Sequence, residues 1–271
     1  MSAAALKNQG RVLIIAGSDS GGGAGIQADI KTVTALGGYA MTAITALTAQ
    51  DTRTVHAIHE VPAEFIALQL RVVLQDIGAD AIKTGMLHRA DIIEAVVDAL
   101  KKYAPDVPLV VDPVMVAKGG ASLLQPSAAE ALRTRLVPRA TVITPNLPEA
   151  EVLSGIRVAG ADDMPAASER LLQLGPQAVL LKGGHLPGND LVDLLRDSRG
   201  AQRYADTRID TTSTHGTGCT LASAIATGLA FGLPLREAVA QARAYVRKAI
   251  DTAPGFGHGH GPLNHAHTVR R

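Results

Sequence analysis

Thr214-His215-Gly216-Thr217-Gly218-Cys219 runs directly into Thr220-Leu221-Ala222-Ser223-Ala224-Ile225-Ala226. Glycines give way to small and apolar residues with no proline and no charge. That is the pattern of a loop opening a buried helix. The first turn of such a helix presents free N–H groups and the positive end of the helix dipole. Gly216 and Gly218 carry no side chain that would hold an anion away from them. A phosphate group is the natural occupant. Cys219 then stands where a nucleophile, a base or a substrate contact would be placed, or where a small packing residue would.

A second glycine-rich turn, Ser18-Asp19-Ser20-Gly21-Gly22-Gly23-Ala24-Gly25, fits neither stock phosphate motif. A P-loop needs Lys-Ser or Lys-Thr after its last glycine, and Ile26-Gln27 stand there. A dinucleotide fingerprint starting at Gly21 needs glycine where Ile26 stands. The turn reads either as a tight strand-to-helix connection or as a ligand site, with the ligand site favoured by its place beyond a strand end. Asp29, one turn into the helix, reads equally as a dipole-favoured acid and as a ligand contact.

Other polar groups follow apolar strands: Gln50-Asp51, Lys83-Thr84-Gly85-Met86, Asp112-Pro113-Val114, Thr144-Pro145-Asn146-Leu147-Pro148-Glu149 and Lys182-Gly183-Gly184-His185. Five such ends in one sheet point to a site along one edge. Asn146 and Glu149, three apart at a helix start, read as an N-cap with its capping-box acid. They also suit a hard-cation site with water between protein and Mg²⁺. Spacing alone favours the cap. The tail Gly257-His258-Gly259-His260-Gly261-Pro262, with His265 and His267 beyond it, has no cysteine partner, so a structural zinc site is not expected.

The elements that must position these groups alternate. Val12 to Ala16 is a continuous apolar run, as expected of a strand buried on both faces. Strands are further predicted at 39–47, 54–61, 79–83, 109–111, 141–144 and 178–182, with a hairpin from 191–196 and 202–205. Helices are predicted at 26–36, 62–76, 90–103, 127–136, 147–153, 162–174, 219–230 and 235–252. This order implies an α/β fold with a mostly parallel sheet and helices on both faces. No linker or repeat divides it. One domain is expected over 11–267, with a flexible N-terminus at 1–10 and a short tail at 268–271.

The 271 residues are 46% hydrophobic but only 3% aromatic, so the core must be aliphatic and base stacking on nucleic acid is not expected. A net charge of +1 gives no reason to expect a polyanion or an anionic membrane as partner. The charge-free stretch 213–235 is interrupted by glycines, a proline and hydroxyls, and reads as a buried helix rather than a membrane span. One cysteine excludes an intrachain disulfide, and the first ten residues lack a signal-peptide core, so a cytoplasmic location is expected.

Taken together these segments closely resemble the hydroxymethylpyrimidine/phosphomethylpyrimidine kinases of thiamine biosynthesis, in the ribokinase-like superfamily. The resemblance is carried by 16–19 and 23–29, Ile44 to Gln50, Gly85-Met86-Leu87, Asp112-Pro113-Val114-Met115, Thr144 to Ala150, Leu181 to His185, His215 to Thr220 and the 257–262 tail. It implies a three-layer sandwich and a homodimer. It also implies ATP- and Mg²⁺-dependent phosphorylation of 4-amino-5-hydroxymethyl-2-methylpyrimidine, then of its monophosphate. Gln50 would pair with the ring nitrogen and exocyclic amine, and Gly17, Asp29 and Met86 would line the same pocket. Lys182 and Asp112 would belong to the ATP-phosphate site. Asn146 and Glu149 would organise phosphate and Mg²⁺, with Glu149 the metal contact, directly or through water. Gly216, Thr217 and Gly218 would form the anion hole. Cys219 stands where sugar kinases carry an aspartate base, and a helix N-terminus would favour its thiolate. Asp51 replaces the usual asparagine. The rivals are a pyridoxal kinase of the same superfamily and a non-catalytic pyrimidine-binding module.

Overall fold

The computed structural model describes residues 9–117, 120, 121, 123–184, 186 and 188–269. The chain begins with β1 (Arg11–Asp19), α1 (Gly25–Ala35), β2 (Tyr39–Gln50), β3 (Val55–Glu60) and α2 (Ala63–Asp76). It continues through β4 (Ala81–Thr84), α3 (Ala90–Tyr103), β5 (Leu109–Val111), α4 (Pro126–Ala131), β6 (Val142–Ile143), α5 (Leu147–Ser154) and α6 (Met164–Leu172). It closes with β7 (Ala178–Lys182), β8 (Asp190–Asp197), β9 (Gly200–Thr207), α7 (Thr217–Ala230) and α8 (Leu235–Asp251). Nine strands form one sheet in the order β3-β2-β1-β4-β5-β6-β7-β8-β9. The run from β2 to β7 is parallel, and β3, β8 and β9 are added antiparallel at the two edges.

The apolar run in β1 shows why the sheet is covered on both sides. Val12, Ile14 and Ala16 face a core shared with α1, α7 and α8. Leu13 and Ile15 face the opposite core, shared with α2 to α6. Alternate side chains of one strand thus feed two hydrophobic layers. The expected three-layer α/β arrangement is present.

Two strands run further than their apolar cores. β1 continues to Asp19 through an irregularity between Ala16 and Ser18, and β2 continues to Gln50. Both extensions carry polar residues toward the same edge. The helix predicted at 127–136 is shorter than expected: after α4 the backbone widens into a π-turn at Leu132–Leu136 and tightens into a 3-10 turn at Val137–Arg139. Pro138 has no N–H to continue a regular ladder.

Most of the 1–10 segment, the end of the tail at 270–271 and His185 lie outside the described residues. Gly10 is buried, and its carbonyl accepts the Tyr39 N–H. At the other end Thr268 donates to the Ala35 carbonyl. Packing therefore reaches past both expected boundaries of the 11–267 unit. No helix of the described residues is long and apolar enough to cross a membrane.

Candidate active site

Because β2 to β7 are parallel, their carboxyl ends share one edge, and a cavity of about 640 Å³ opens along it. Gln50, Asp112, Asn146, Glu149, Lys182 and Cys219 all reach it. The floor is the N-terminus of α7. Gly216 caps this helix at φ +80, and a Cβ there would lie 1.8 Å from the Gly23 carbonyl oxygen. Only glycine fits, on both counts. Thr217 turns its hydroxyl back to the Thr214 carbonyl at 2.7 Å, and its N–H makes a long 3.4 Å bond to the same oxygen. Among the described residues no acceptor takes the N–H of Gly216, Gly218 or Cys219. These amides are the available anion donors of the turn, two of them in the expected hole of Gly216, Thr217 and Gly218.

The other glycine turn is different. Its amides are occupied by Asp19. One carboxylate oxygen accepts from Gly21 N at 2.8 Å. The other accepts from Gly23 N at 3.1 Å and Ala24 N at 2.8 Å, and lies 2.9 Å from His215 Nε2. Burial opposes ionisation of Asp19, but His215 and the Ala24 and Gly21 amides outweigh it and hold the carboxyl below its usual range. The turn is thus a structural clasp at the amides of Gly21, Gly23 and Ala24, and Ser18, Asp19, Ala24 and Gly25 line the cavity.

Gln50 lies beside this clasp. Its Oε1 accepts from Thr48 Oγ1 at 3.1 Å, and its Nε2 lies 3.4 Å from His215 Nε2. Gly17 and Met86 line the cavity next to it, as expected, with the Met86 sulfur 3.2 Å from where a Cβ on Gly17 would stand. Asp29 does not line the cavity. It is fully buried, 2.8 Å from Lys83 Nζ, and accepts from Ser223 Oγ at 2.7 Å. Its partners are the Lys83 ammonium and the Ser223 hydroxyl in the core.

At the other end of the cavity Lys182 Nζ donates to Asp112 Oδ1 at 3.1 Å, and Thr144 Oγ1 donates to the same oxygen at 3.1 Å. A Cβ on Gly218 would stand 3.2 Å from Lys182 Nζ, so this ion pair adjoins the free amides of α7. Asn146 and Glu149 form the reciprocal capping box: Asn146 Oδ1 accepts Glu149 N–H at 2.9 Å, and Glu149 Oε2 accepts Asn146 N–H at 2.8 Å. Burial pushes the Glu149 carboxyl up to about 7; Lys182 and the Asn146 amide counter this, and Asp112 adds to it. One Glu149 oxygen is committed to the cap. The pair is therefore a cap that also places a carboxyl in the cavity.

Cys219 departs from expectation in its charge. Burial pushes the thiol up to about 11, and Lys83 and the Gly25 amide only partly offset this. The helix N-terminus does not make it a resting thiolate.

Asp51 closes the β2–β3 hairpin. Its Oδ1 accepts from Arg53 N and Thr54 N at 2.8 and 2.9 Å, and Oδ2 lies 3.0 Å from His56 Nε2. Asparagine could serve the same two amides, so the replacement changes a turn contact with His56 and leaves the cavity alone. The histidine tail is a strap. His260 N–H donates to the Thr52 carbonyl at 2.8 Å and Gly261 O accepts from His215 N–H at 3.0 Å. Among the described residues no group of three or more His, Cys, Asp or Glu could hold a metal ion.

Residues 19–264 match the family described as phosphomethylpyrimidine kinase. The chain belongs to that family. It is 54% identical over 257 residues, 95% of its length, to the thiamine biosynthesis bifunctional protein ThiED of Geobacter sulfurreducens, and spans 52% of that longer protein. It is 47% identical over 256 residues to the hydroxymethylpyrimidine/phosphomethylpyrimidine kinase of Bacillus subtilis, covering 94% of each chain. Among solved structures, the pyridoxal kinase of Staphylococcus aureus in complex with AMP-PCP and pyridoxal superposes with a TM-score of 0.88 at 37% identity, over 97% of this chain and 96% of that one. The fold is ribokinase-like.

In this phosphomethylpyrimidine kinase family member three side chains matter that sequence alone assigned no role. Asp19 and His215 form the clasp, although 196 positions separate them. Lys83 is the charged residue of the short strand Ala81-Ile82-Lys83-Thr84, and its side chain is fully buried. A lone lysine in a buried strand was the available signal, because such an ammonium requires a carboxylate partner.

Proposed function

We propose that this chain transfers the γ-phosphoryl group of ATP to the hydroxymethyl oxygen of 4-amino-5-hydroxymethyl-2-methylpyrimidine, and then a second phosphoryl group to the monophosphate. The observation that carries this is the set of unsatisfied amides at the start of α7, with the Cys219 thiol beside them and a carboxamide at one end of the same cavity. Gln50 offers one carbonyl and one NH₂, which suits the acceptor–donor edge of an aminopyrimidine. Gly17 and Met86 are assigned to the walls around that ring. Lys182 is assigned to the phosphates, with Asp112 holding its ammonium in place. The turn Gly216-Thr217-Gly218, with the free N–H groups of Gly216, Gly218 and Cys219, is assigned to stabilise charge on the transferring group.

Mg²⁺ suits this donor set. It keeps several waters and takes most of its oxygens from nucleotide phosphates, so one or two carboxylates suffice. Glu149 is the residue assigned to it, directly or through water. The ion would neutralise phosphate charge when bound. In the transfer an O–P bond forms to the hydroxymethyl oxygen, the bond to the ADP oxygen breaks, and the hydroxyl proton passes to the Cys219 sulfur, which must first have lost its own proton to solvent.

Purified protein with ATP, Mg²⁺ and the pyrimidine should yield the monophosphate and then the diphosphate, resolved by chromatography. Absence of both products would overturn the assignment. The relationship to a pyridoxal kinase makes kcat/KM on pyridoxal the comparison that decides between vitamin substrates. Tight pyrimidine binding without ATP consumption would instead indicate a binding module. A cytoplasmic homodimer is part of the proposal, and light scattering tests the dimer.

A further inference from the structure

A base at Cys219 must become a thiolate in a site where burial disfavours one. Five features face it: Lys83 from β4, Asp29 from α1, Asp112 beyond β5, Lys182 from β7 and the Gly25 amide. Lys83 has the least freedom to move among the cations. Its side chain is fully buried, whereas that of Lys182 keeps 15% of its surface exposed. Asp29 Oδ2 holds Lys83 Nζ at 2.8 Å, and Asp29 Oδ1 is held by Ser223 Oγ at 2.7 Å. Ser223 is four residues after Cys219 in α7, so the two side chains lie on one helix face a single turn apart. The chain Ser223–Asp29–Lys83 therefore ties the ammonium to the helix that carries the thiol. Gly85 leaves room for it, since a Cβ there would stand 2.9 Å from Nζ.

We propose that Lys83 is a positioning residue for Cys219, an ammonium tied through Asp29 to α7 one turn after the thiol, which supplies the counter-charge when the thiol gives up its proton. The role rests on Cys219 being the base. Burial works against the Lys83 ammonium, but the Asp29 carboxylate hydrogen-bonded to it and the nearby Asp112 favour the charged form, so the group keeps its charge. Lys83 is fully buried, does not line the cavity, and acts only through the thiol.

Cys219 is the chain's one cysteine, so alkylation by iodoacetamide reports on it alone. Below the thiol's pKa the rate at fixed pH is proportional to the thiolate fraction. Lys83→Met should lower that rate about tenfold or more, the equivalent of one pH unit. Asp29→Asn keeps the ammonium and removes the nearby carboxylate, and should raise the rate. Opposite signs from the two partners of one ion pair would not arise from loosened packing. If Lys83→Met does not fold, Lys83→Met with Asp29→Asn removes both charges and should alkylate more slowly than Asp29→Asn alone. Wild-type rates in Lys83→Met, or equal rates in Asp29→Asn and the double variant, would overturn the inference. Failure of the base assignment is read separately: unchanged kcat in Cys219→Ala would refute it without altering the alkylation rates.

Discussion

Removing the Asp19 carboxylate should damage both stability and catalysis, and the structure sets the scale of each. Four donors converge on it: the amides of Gly21, Gly23 and Ala24, and His215. Hydrogen bonds to a charged group each contribute about 1.5–3 kcal/mol net, and bonds sharing one acceptor group do not add fully. Asp19→Ala should therefore cost about 3–5 kcal/mol in urea unfolding at neutral pH. Asp19→Asn can keep its oxygen toward Gly23, Ala24 and His215 and lose only the Gly21 bond and the charge, so about 1–3 kcal/mol is expected.

The sign with pH follows from a depressed carboxyl pKa. The charge-dependent part of the stability is fully present above the ordinary carboxylate range and is lost as pH falls through the folded-state value. The gap between wild type and Asp19→Asn should hold from neutral pH to about 4 and narrow below it. Catalysis is tied to the same clasp, because the Gly23 carbonyl lies where a Gly216 Cβ would be. A slack turn lets the start of α7 move, and kcat in Asp19→Ala should fall at least ~100-fold. An Asp19→Ala protein within about 1 kcal/mol of wild type, with kcat/KM within a few-fold, would refute the clasp.

Cys219→Ala should lose about 10²–10⁴ in kcat while pyrimidine binding by calorimetry stays within a few-fold. A near-normal kcat would show that the thiol is not the base. Gln50→Leu should raise KM for the pyrimidine by about 10² or more with a smaller change in kcat, because it leaves the polar edge of the ring unpaired. An unchanged KM would put the ring elsewhere in the cavity. Gly216→Ala and Gly37→Ala both place alanine at positive φ, but the added Cβ meets the Gly23 carbonyl at 1.8 Å in the first and nothing within 4 Å in the second. Gly37→Ala should cost only about 1–2 kcal/mol of backbone strain in a thermal melt and keep its activity, whereas Gly216→Ala should also lose kcat. Equal kcat in the two would argue against the close contact of the turns.

What was legible in the sequence was what neighbouring residues decide. The two-faced burial of β1 is written in five consecutive apolar side chains, and the Asn146–Glu149 cap in a three-residue spacing. The strand ends were legible because a polar residue after an apolar run marks where a buried strand emerges. What failed depended on partners far away in the chain. Asp29 reads equally as a first-turn acid and as a ligand contact because Lys83, 54 positions on, is invisible to local spacing. The Cys219 thiolate was inferred from the helix dipole alone, and the larger contribution is burial, which only the packed structure supplies. Neither error disturbs the placement of Gln50, Lys182 or Glu149, which follow directly from strand and helix ends.

The two glycine turns explain why phosphate chemistry is assigned to one place in the cavity. Both are rich in glycine, both precede a helix, and both could offer amides to an anion. Asp19 removes the ambiguity from within the first turn by supplying its own carboxylate to three of those amides. The second turn has no acid of its own between Thr214 and Ala226. Its amides at Gly218 and Cys219 stay unpaired among the described residues, and the nearest fixed charges include the ammonium of Lys182. A phosphoryl group approaching the first turn would meet a carboxylate in place of free amides, and one approaching the second would meet free donors beside the Lys182–Asp112 ion pair. The clasp does more than occupy the first turn. Through His215 and the Gly23 carbonyl it presses on the backbone of the second, so the internal anion shapes the site meant for the external one.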